Sequence, residues 1–233
     1  MFKYKEIFPK KSALLIVIHA ETKEQAERNA KIAKDAGADG IFLINHEIAR
    51  DELVSIYNYI HQKFLGWWIG CNFLGAKPYE TILKVPISVS GIWTDNAGIN
   101  EYLEKPAAEA ESVWNARKTL RSSWEGLYFG GVAFKYQPAV NNLKHISRLA
   151  TKYMDAITTS GEGTGIAPGI EKISAMRKAI GDFPLAIASG ITPENASQYV
   201  GLADCFIVAT GVSNSFTELN AEKVKKLAET LNQ

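Results

Sequence analysis

Eight short and almost continuously apolar runs divide this chain at intervals of about 20 to 40 residues, and they limit its fold more than any other feature. They are 13–18 (ALLIVI), 40–44 (GIFLI), 67–71 (WWIGC), 87–93 (ISVSGIW), 127–134 (LYFGGVAF), 155–159 (DAITT), 184–188 (PLAIA) and 204–209 (DCFIVA). A strand that is apolar without alternation is covered on both faces, as a parallel strand between helices is. The segments between the runs have helical spacing, for example Ala26, Ala30, Ala33 and Ala36 leading to Gly37, a residue type that ends helices. Eight such units in 233 residues predict an α/β fold, a (β/α)8 TIM barrel of the phosphate-binding type, with one domain over 1–233. An open doubly wound sheet is the alternative, but it has no need of an eighth strand. The stretches "GADGIFLIN", "MDAITTSG" and "LADCFIVATG" also echo one another, each with an aspartate just before a buried strand.

The charge balance bears on partners. Lysine and arginine total 26 against 25 acids, a net charge of +1, which leaves no basic surplus to neutralise a nucleic-acid backbone. Nucleic acid is therefore not expected as a partner. Cys71 and Cys205 lie far apart in apolar runs without CxxC spacing, so both read as buried thiols of a reducing compartment, the cytoplasm. The run "ALLIVIHA" follows a basic stretch as a signal peptide's apolar region would, yet it is short and has no convincing cleavage site, so it reads as a strand. No segment is long enough to cross a bilayer, and no membrane insertion is expected. Homo-oligomerisation remains open.

In a (β/α)8 enzyme the active site lies where strands end and βα loops begin. Those ends supply His19, then Asn45, His46 and Glu47, then Asn72, Asp95, Lys135, the loop "SGEGTG" at 160–165, "SGITPEN" at 189–195 and "TGVSN" at 210–214. The seventh and eighth have the most specific physical reading. Gly190 and Gly211 allow close backbone approach, while Thr192 as N-cap and Pro193 at the first helical position predict a helix start with free N–H groups. Together with Ser189, Asn195 and Thr210 these loops predict a phosphate site. The glycine-rich loop lacks the lysine of a Walker motif, so it is expected to fold over a small substrate. Ser160, Gly161, Thr164 and Gly165 would be its contacts and Glu162 a general base. Lys135 is expected to project into the mouth opposite Asp95, with Lys135, Asp95 and Glu162 in one pocket as the catalytic group. The long stretch 94–108 is expected to form part of a substrate lid, and Trp93 could wall the site. No cofactor is expected. A divalent metal on His19, His46 and Glu47 is the less favoured reading, because no tight metal-ligand spacing is present.

The motifs "GADGIFLIN", "IGCNFLG", "WTDNAG", "VAFKY", "DAITTSGEGTG" and "PLAIASGITPENASQYVGLADCFIVATG", in this order, resemble the BtpA/SgcQ family of (β/α)8 proteins over nearly the whole chain. The resemblance implies roles for His19, Asn45, Asn72, Asp95, Lys135, Ser160, Gly161, Thr164, Gly165, Ser189, Gly190, Asn195 and Gly211, without bringing a settled reaction. One branch of the family is linked to photosystem I assembly. This chain departs from the family in having Asn45-His46 after the second strand and Lys135-Tyr136 after the fifth, where Glu-Asn and Lys-His are common. The expected function is acid/base chemistry on a small phosphorylated ligand, a sugar or ribosyl phosphate, as an isomerase, lyase or phosphoribosyl-type transferase. The alternatives are a non-catalytic metabolite-binding or assembly-factor barrel and a flavin or nicotinamide oxidoreductase.

Overall fold

The computed structural model describes residues 2–120 and 124–232. Eight strands, β1 (Ala13–Ala20), β2 (Gly40–Asn45), β3 (Trp68–Asn72), β4 (Gly91–Thr94), β5 (Leu127–Gly131), β6 (Ala156–Thr159), β7 (Leu185–Ala188) and β8 (Cys205–Val208), pair in parallel and in sequence order. β8 returns to β1, so the sheet is a closed barrel and the fold is a TIM barrel. After a short N-terminal helix α1 (Lys3–Ile7), the helices between strands are α2 (Lys23–Asp35), α3 (Arg50–Lys63), α4 (Pro78–Lys84), α5 (Ala108–Leu120), α6 (Leu143–Ala150) and α7 (Ile170–Ile180). A 3-10 turn, Ala196–Tyr199, stands in for a helix after β7, and α8 (Ala221–Leu231) follows β8. No helix among the described residues is long and apolar enough to cross a membrane.

Both faces of the strands are buried, which is why their sequences do not alternate. Outward residues such as Ile16, Leu43, Ile69, Ile92 and Tyr128 pack against the helices. Inward residues Leu15, Val17, Phe42, Trp68, Trp93, Phe129, Ala186 and Ile207 fill the barrel. Alanine and glycine on some strands make room for aromatic rings on others: a Cβ on Gly91 would lie 2.5 Å from the Trp68 ring. From below, α1 closes the barrel with Tyr4 and Phe8, whose rings meet Phe129 at 6.0 Å and Trp68 at 5.4 Å.

Two predicted strands are shorter than their apolar runs. Residues 87–90 precede β4 in a turn closed by Val89 N–H on the Pro86 carbonyl at 3.0 Å. Residues 132–134 leave β5 because Ala133 turns to a φ of 47°. The Gly37 expectation holds in detail: its N–H meets the Lys34 carbonyl and that of Ala38 meets Ala33, the paired bonds of a Schellman end.

The repeated aspartates have a common physical role. Asp39, Asp155 and Asp204 each accept the N–H of a residue on the preceding strand in the barrel, from Leu14 at 2.9 Å, Tyr128 at 2.7 Å and Leu185 at 2.9 Å. They staple adjacent strands at the lower rim, where the first N–H groups would otherwise lack partners. Asp155 also binds Arg117 at 2.6 Å. Asp155→Ala should therefore cost about 2 kcal/mol, read as a fall in the midpoint of urea unfolding, and an unchanged midpoint would remove this role.

Candidate functional site

The upper ends of the strands surround a small cavity of about 100 Å³. Trp93 forms its floor, with Val17, Ile44, Ala188 and Ile207 as apolar walls. His19, Asp95, Lys135, Thr164, Ser189 and Thr210 bring polar groups to it. The end of β1 and the loops after β4 and β5 thus bring polar residues to one place, the C-terminal face of the barrel.

Asp95 and Lys135 share this cavity. Asn72, buried at the end of β3, donates from Nδ2 to Asp95 Oδ1 at 3.1 Å. Burial raises the carboxyl's pKa above its ordinary value, and the Asn72 bond and the Lys135 charge oppose that shift without cancelling it. Lys135 Nζ donates to Thr164 Oγ1 at 3.1 Å, and its backbone N–H donates to Ser160 Oγ at 2.7 Å. Gln137 fixes the loop after β5 by donating from Nε2 to the carbonyls of Asp95 at 2.7 Å and Gly131 at 3.1 Å.

His19 has a defined tautomer. Its Nδ1 lies 2.7 Å from the Phe216 carbonyl, which can only accept, so Nδ1 carries the proton and Nε2 keeps a free lone pair. The Phe216 ring stacks on the imidazole at 4.0 Å. Burial lowers the His19 pKa; the Phe216 carbonyl opposes this, while the nearby His46 and Lys135 add to it. At neutral pH the ring is accordingly an uncharged acceptor.

Trp93 Nε1, on a residue that lines the cavity, is buried and has no partner among the described residues. Such atoms are costly unless water or a ligand meets them. Of three non-glycine residues with positive φ, Ser189 at 93° lines this cavity, and Ala133 at 47° and Tyr136 at 64° line the cleft beside it. Each such conformation costs on the order of 1–3 kcal/mol and is commonly found at functional sites.

Several expected residues lie elsewhere or act differently. Glu162 is exposed and lines a separate cleft of about 550 Å³ between the loops after β5 and β6, so the group Lys135, Asp95 and Glu162 does not share one pocket. Its neighbour Thr164 is the residue that reaches the mouth, because Gly165 at a φ of 77° turns the loop over and donates its N–H to Ser189 Oγ at 2.9 Å. Asn45 turns away from the mouth, accepting from Leu74 N–H at 2.9 Å and organising the loop after β3. The stretch after β4 is not a lid on this cavity: Tyr102 donates to the Ala139 carbonyl at 2.7 Å and Glu101 takes the N–H groups of Asn141 and Asn142, which ties it to the loop before α6. Phe216, on the loop after β8, covers the cavity instead, and the lone aromatic of "VSNSFTEL" is the signal that could have pointed to it.

The predicted helix start after β7 also needs correction. Asn195 accepts the Thr192 N–H at 2.9 Å and donates to the Gly190 carbonyl at 2.8 Å, while Thr192 takes the N–H groups of Glu194, Asn195 and Ala196. Those amides are therefore spent inside the turn. Close approach explains both glycines: a Cβ on Gly190 would lie 2.0 Å from Ala167 N, and one on Gly211 would lie 1.9 Å from the Ile191 carbonyl oxygen. Gly161 is similarly pressed against the Ile166 carbonyl within its own loop, while Gly190 and Gly211 join the last three loops to one another. The hydroxyls of Ser189 and Thr210 are what these loops present to the cavity as side chains.

His19 and His46 meet edge to face at 5.9 Å, and His46 Nδ1 lies 3.5 Å from Glu47 Oε1. No three His, Cys, Asp or Glu side chains among the described residues come together as a metal-binding group.

No curated protein matches this chain in sequence. Solved structures share its fold at low identity. Phosphoribosyl anthranilate isomerase from Thermus thermophilus is 18% identical with a TM-score of 0.65, over 94% of this chain and 98% of that one. (S)-3-O-geranylgeranylglyceryl phosphate synthase from Thermoplasma acidophilum, in complex with its substrate sn-glycerol-1-phosphate, is 16% identical with a TM-score of 0.69, over 100% and 99%. 3-Hexulose-6-phosphate synthase from Salmonella typhimurium is 16% identical with a TM-score of 0.67, over 94% and 98%. The sequence profile of the BtpA family matches residues 110–233, the part that carries β5 to β8 and the loops that close the mouth, and the chain belongs to the BtpA family.

Proposed function

We propose that this barrel is an enzyme acting on a small phosphorylated metabolite, a sugar or ribosyl phosphate, by proton transfer at the mouth of the barrel. The observation that carries this reading is the pairing of Asp95, a carboxyl with raised proton affinity, with the Lys135 ammonium and the neutral His19 around one cavity. Asp95 takes a proton from the carbon beside the substrate carbonyl, and Lys135 stabilises the negative charge that develops on the carbonyl oxygen. The proton then returns to the neighbouring carbon, completing an isomerisation. His19 Nε2 accepts and returns a hydroxyl proton. The phosphate would rest between the loops after β7 and β8, near Ser189 and Thr210. That three proteins of the same fold are named for phosphorylated compounds supports this class of substrate.

A thermal-shift panel of sugar phosphates followed by a turnover assay tests the reading. Phosphorylated ligands that raise the melting temperature, and one of which is converted, are expected; a panel without binding would overturn it. Thr210→Glu places a carboxylate on an exposed side chain at the cavity without disturbing the close backbone contacts of Gly211. It should weaken a phosphorylated ligand at least about tenfold, or roughly 1.4 kcal/mol, in titration calorimetry. Equal affinity would move the phosphate away from this loop.

The rate should also depend on pH in a defined direction. Both Asp95 and His19 work deprotonated, so kcat/KM rises with pH, the Asp95 step lying above the ordinary 3.8 of aspartate and the His19 step below the ordinary 6.5 of histidine. A limb without a step on the stated side of either value would show that other groups carry the protons.

A further inference from the structure

Lys172 lies in the first turn of α7, outside the residues assigned above, at the floor of the cleft between the loops after β5 and β6. Its Nζ donates to two carbonyls, of Ala133 at 2.5 Å and of Ser160 at 2.6 Å. The first belongs to the loop after β5 and the second to the loop after β6, so one ammonium ties the two loops together. Both lead directly to Lys135. Ala133 stands two residues before it with a φ of 47°, and Ser160 Oγ accepts the Lys135 N–H at 2.7 Å while donating to the Gly161 carbonyl at 2.8 Å. Thr159 adds a hydroxyl to the Ala133 carbonyl at 3.1 Å.

We propose that Lys172 is a positioning residue: its ammonium clamps the Ala133 and Ser160 carbonyls and so fixes the backbone that aims Lys135 into the mouth. The proposal rests on the reading of Lys135 as the cation that faces the substrate. An unstrained loop would let Ala133 return to an ordinary φ, and the Lys135 side chain would lose its direction towards Thr164. Two charge-assisted bonds from one rigid helix oppose that relaxation.

The charge itself does not favour folding. Burial pulls the Lys172 pKa down from 10.5 to about 8, against the opposing field of Glu162 on the loop after β6. Lys135 and Tyr136 also face the cleft from the loop after β5, α6 brings only the apolar Leu143 to it, and Glu171 precedes Lys172 on its own helix. The folded state thus holds this proton less tightly than the unfolded chain, and this group's contribution to stability rises with pH from about 8 to 10.5. Below that window the protein keeps a charge that its burial disfavours, as a clamp on two carbonyls requires. As the pH passes about 8 the amine of the folded protein becomes neutral and its bonds weaken.

Pulsed acetylation with acetic anhydride, read by mass spectrometry as the ratio of Lys135 to the exposed Lys152, tests the clamp. Lys172→Met should raise this ratio about three- to tenfold at pH 7, the factor expected for releasing one hydrogen bond. Lys172→Arg keeps a charged donor and should return the ratio towards the wild-type value. If Lys172→Met does not fold, pH decides the matter: the wild-type ratio should climb as the pH passes 8, and in Lys172→Arg the climb should be absent. A ratio that is the same in all three proteins, or flat across pH 8 in the wild type, overturns the proposal. Calorimetry with inorganic phosphate, run beside these experiments, keeps the two readings apart. Wild-type protein that binds no phosphate counts against the phosphate site and leaves the acetylation result to decide the clamp.

Discussion

Asp95→Asn is expected to lower kcat about a hundredfold to ten-thousandfold, the usual worth of a positioned general base, with a far smaller change in KM. The substitution keeps the size and shape of the side chain, so the Asn72 contact at Oδ1 can persist, and the backbone carbonyl that receives Gln137 is untouched. What it removes is a carboxylate whose proton affinity burial has raised above that of an ordinary aspartate. The assay is steady-state turnover of the phosphorylated substrate from the thermal-shift panel, with the melting temperature as a control for folding. A kcat within a few-fold of wild type would assign the proton transfer to another group, with His19 the next candidate. The Asp95 step of the pH limb should vanish together with the carboxylate.

Phe42→Ala should cost about 3–5 kcal/mol of stability, seen as a lower denaturant midpoint at an unchanged m-value. Phe42 is fully buried inside the barrel, with Trp68, Phe129 and Trp93 around it at centroid distances of 5.0, 5.4 and 5.8 Å. These rings come from four different strands, so their removal leaves a cavity that no single strand can close. For a chain of this size the melting temperature should fall by roughly 6–20 °C. A loss under about 1 kcal/mol would mean that the interior collapses around the gap, contrary to close packing. Trp93 is both the last of these rings and the floor of the candidate site, so the same packing that stabilises the barrel holds the floor beneath Asp95.

Much of this architecture was legible in the residues alone. Burial on two faces leaves continuous apolar runs, and eight of them closed by helices admit a barrel, so the strand positions and the upper rim followed from local composition. The placement of Asp95 and Lys135 on the C-terminal face followed in the same way, because parallel strands send the loops after them to one side, although the turn at Ala133 that aims Lys135 was not legible. The aspartates before β2, β6 and β8 announced a repeated device, although only the paired strands revealed that the carboxylates bind their neighbours' N–H groups.

Tertiary structure decided which loop residues reach the cavity. A strand sends its side chains alternately to its two faces whatever its sequence, whereas a loop takes its direction from partners far along the chain. Gly165 and its bond to Ser189 brought Thr164 inward and left Glu162 in the neighbouring cleft. Thr192 took the N–H groups of Glu194, Asn195 and Ala196 that the Thr192-Pro193 pattern marked as free. Phe216 reached His19 across 197 residues of sequence, and Lys172 found two carbonyls on loops that its own helix only follows. The barrel is written in the hydrophobic pattern of each strand, but the site depends on hydrogen bonds between loops, and those exist only after the strands have closed.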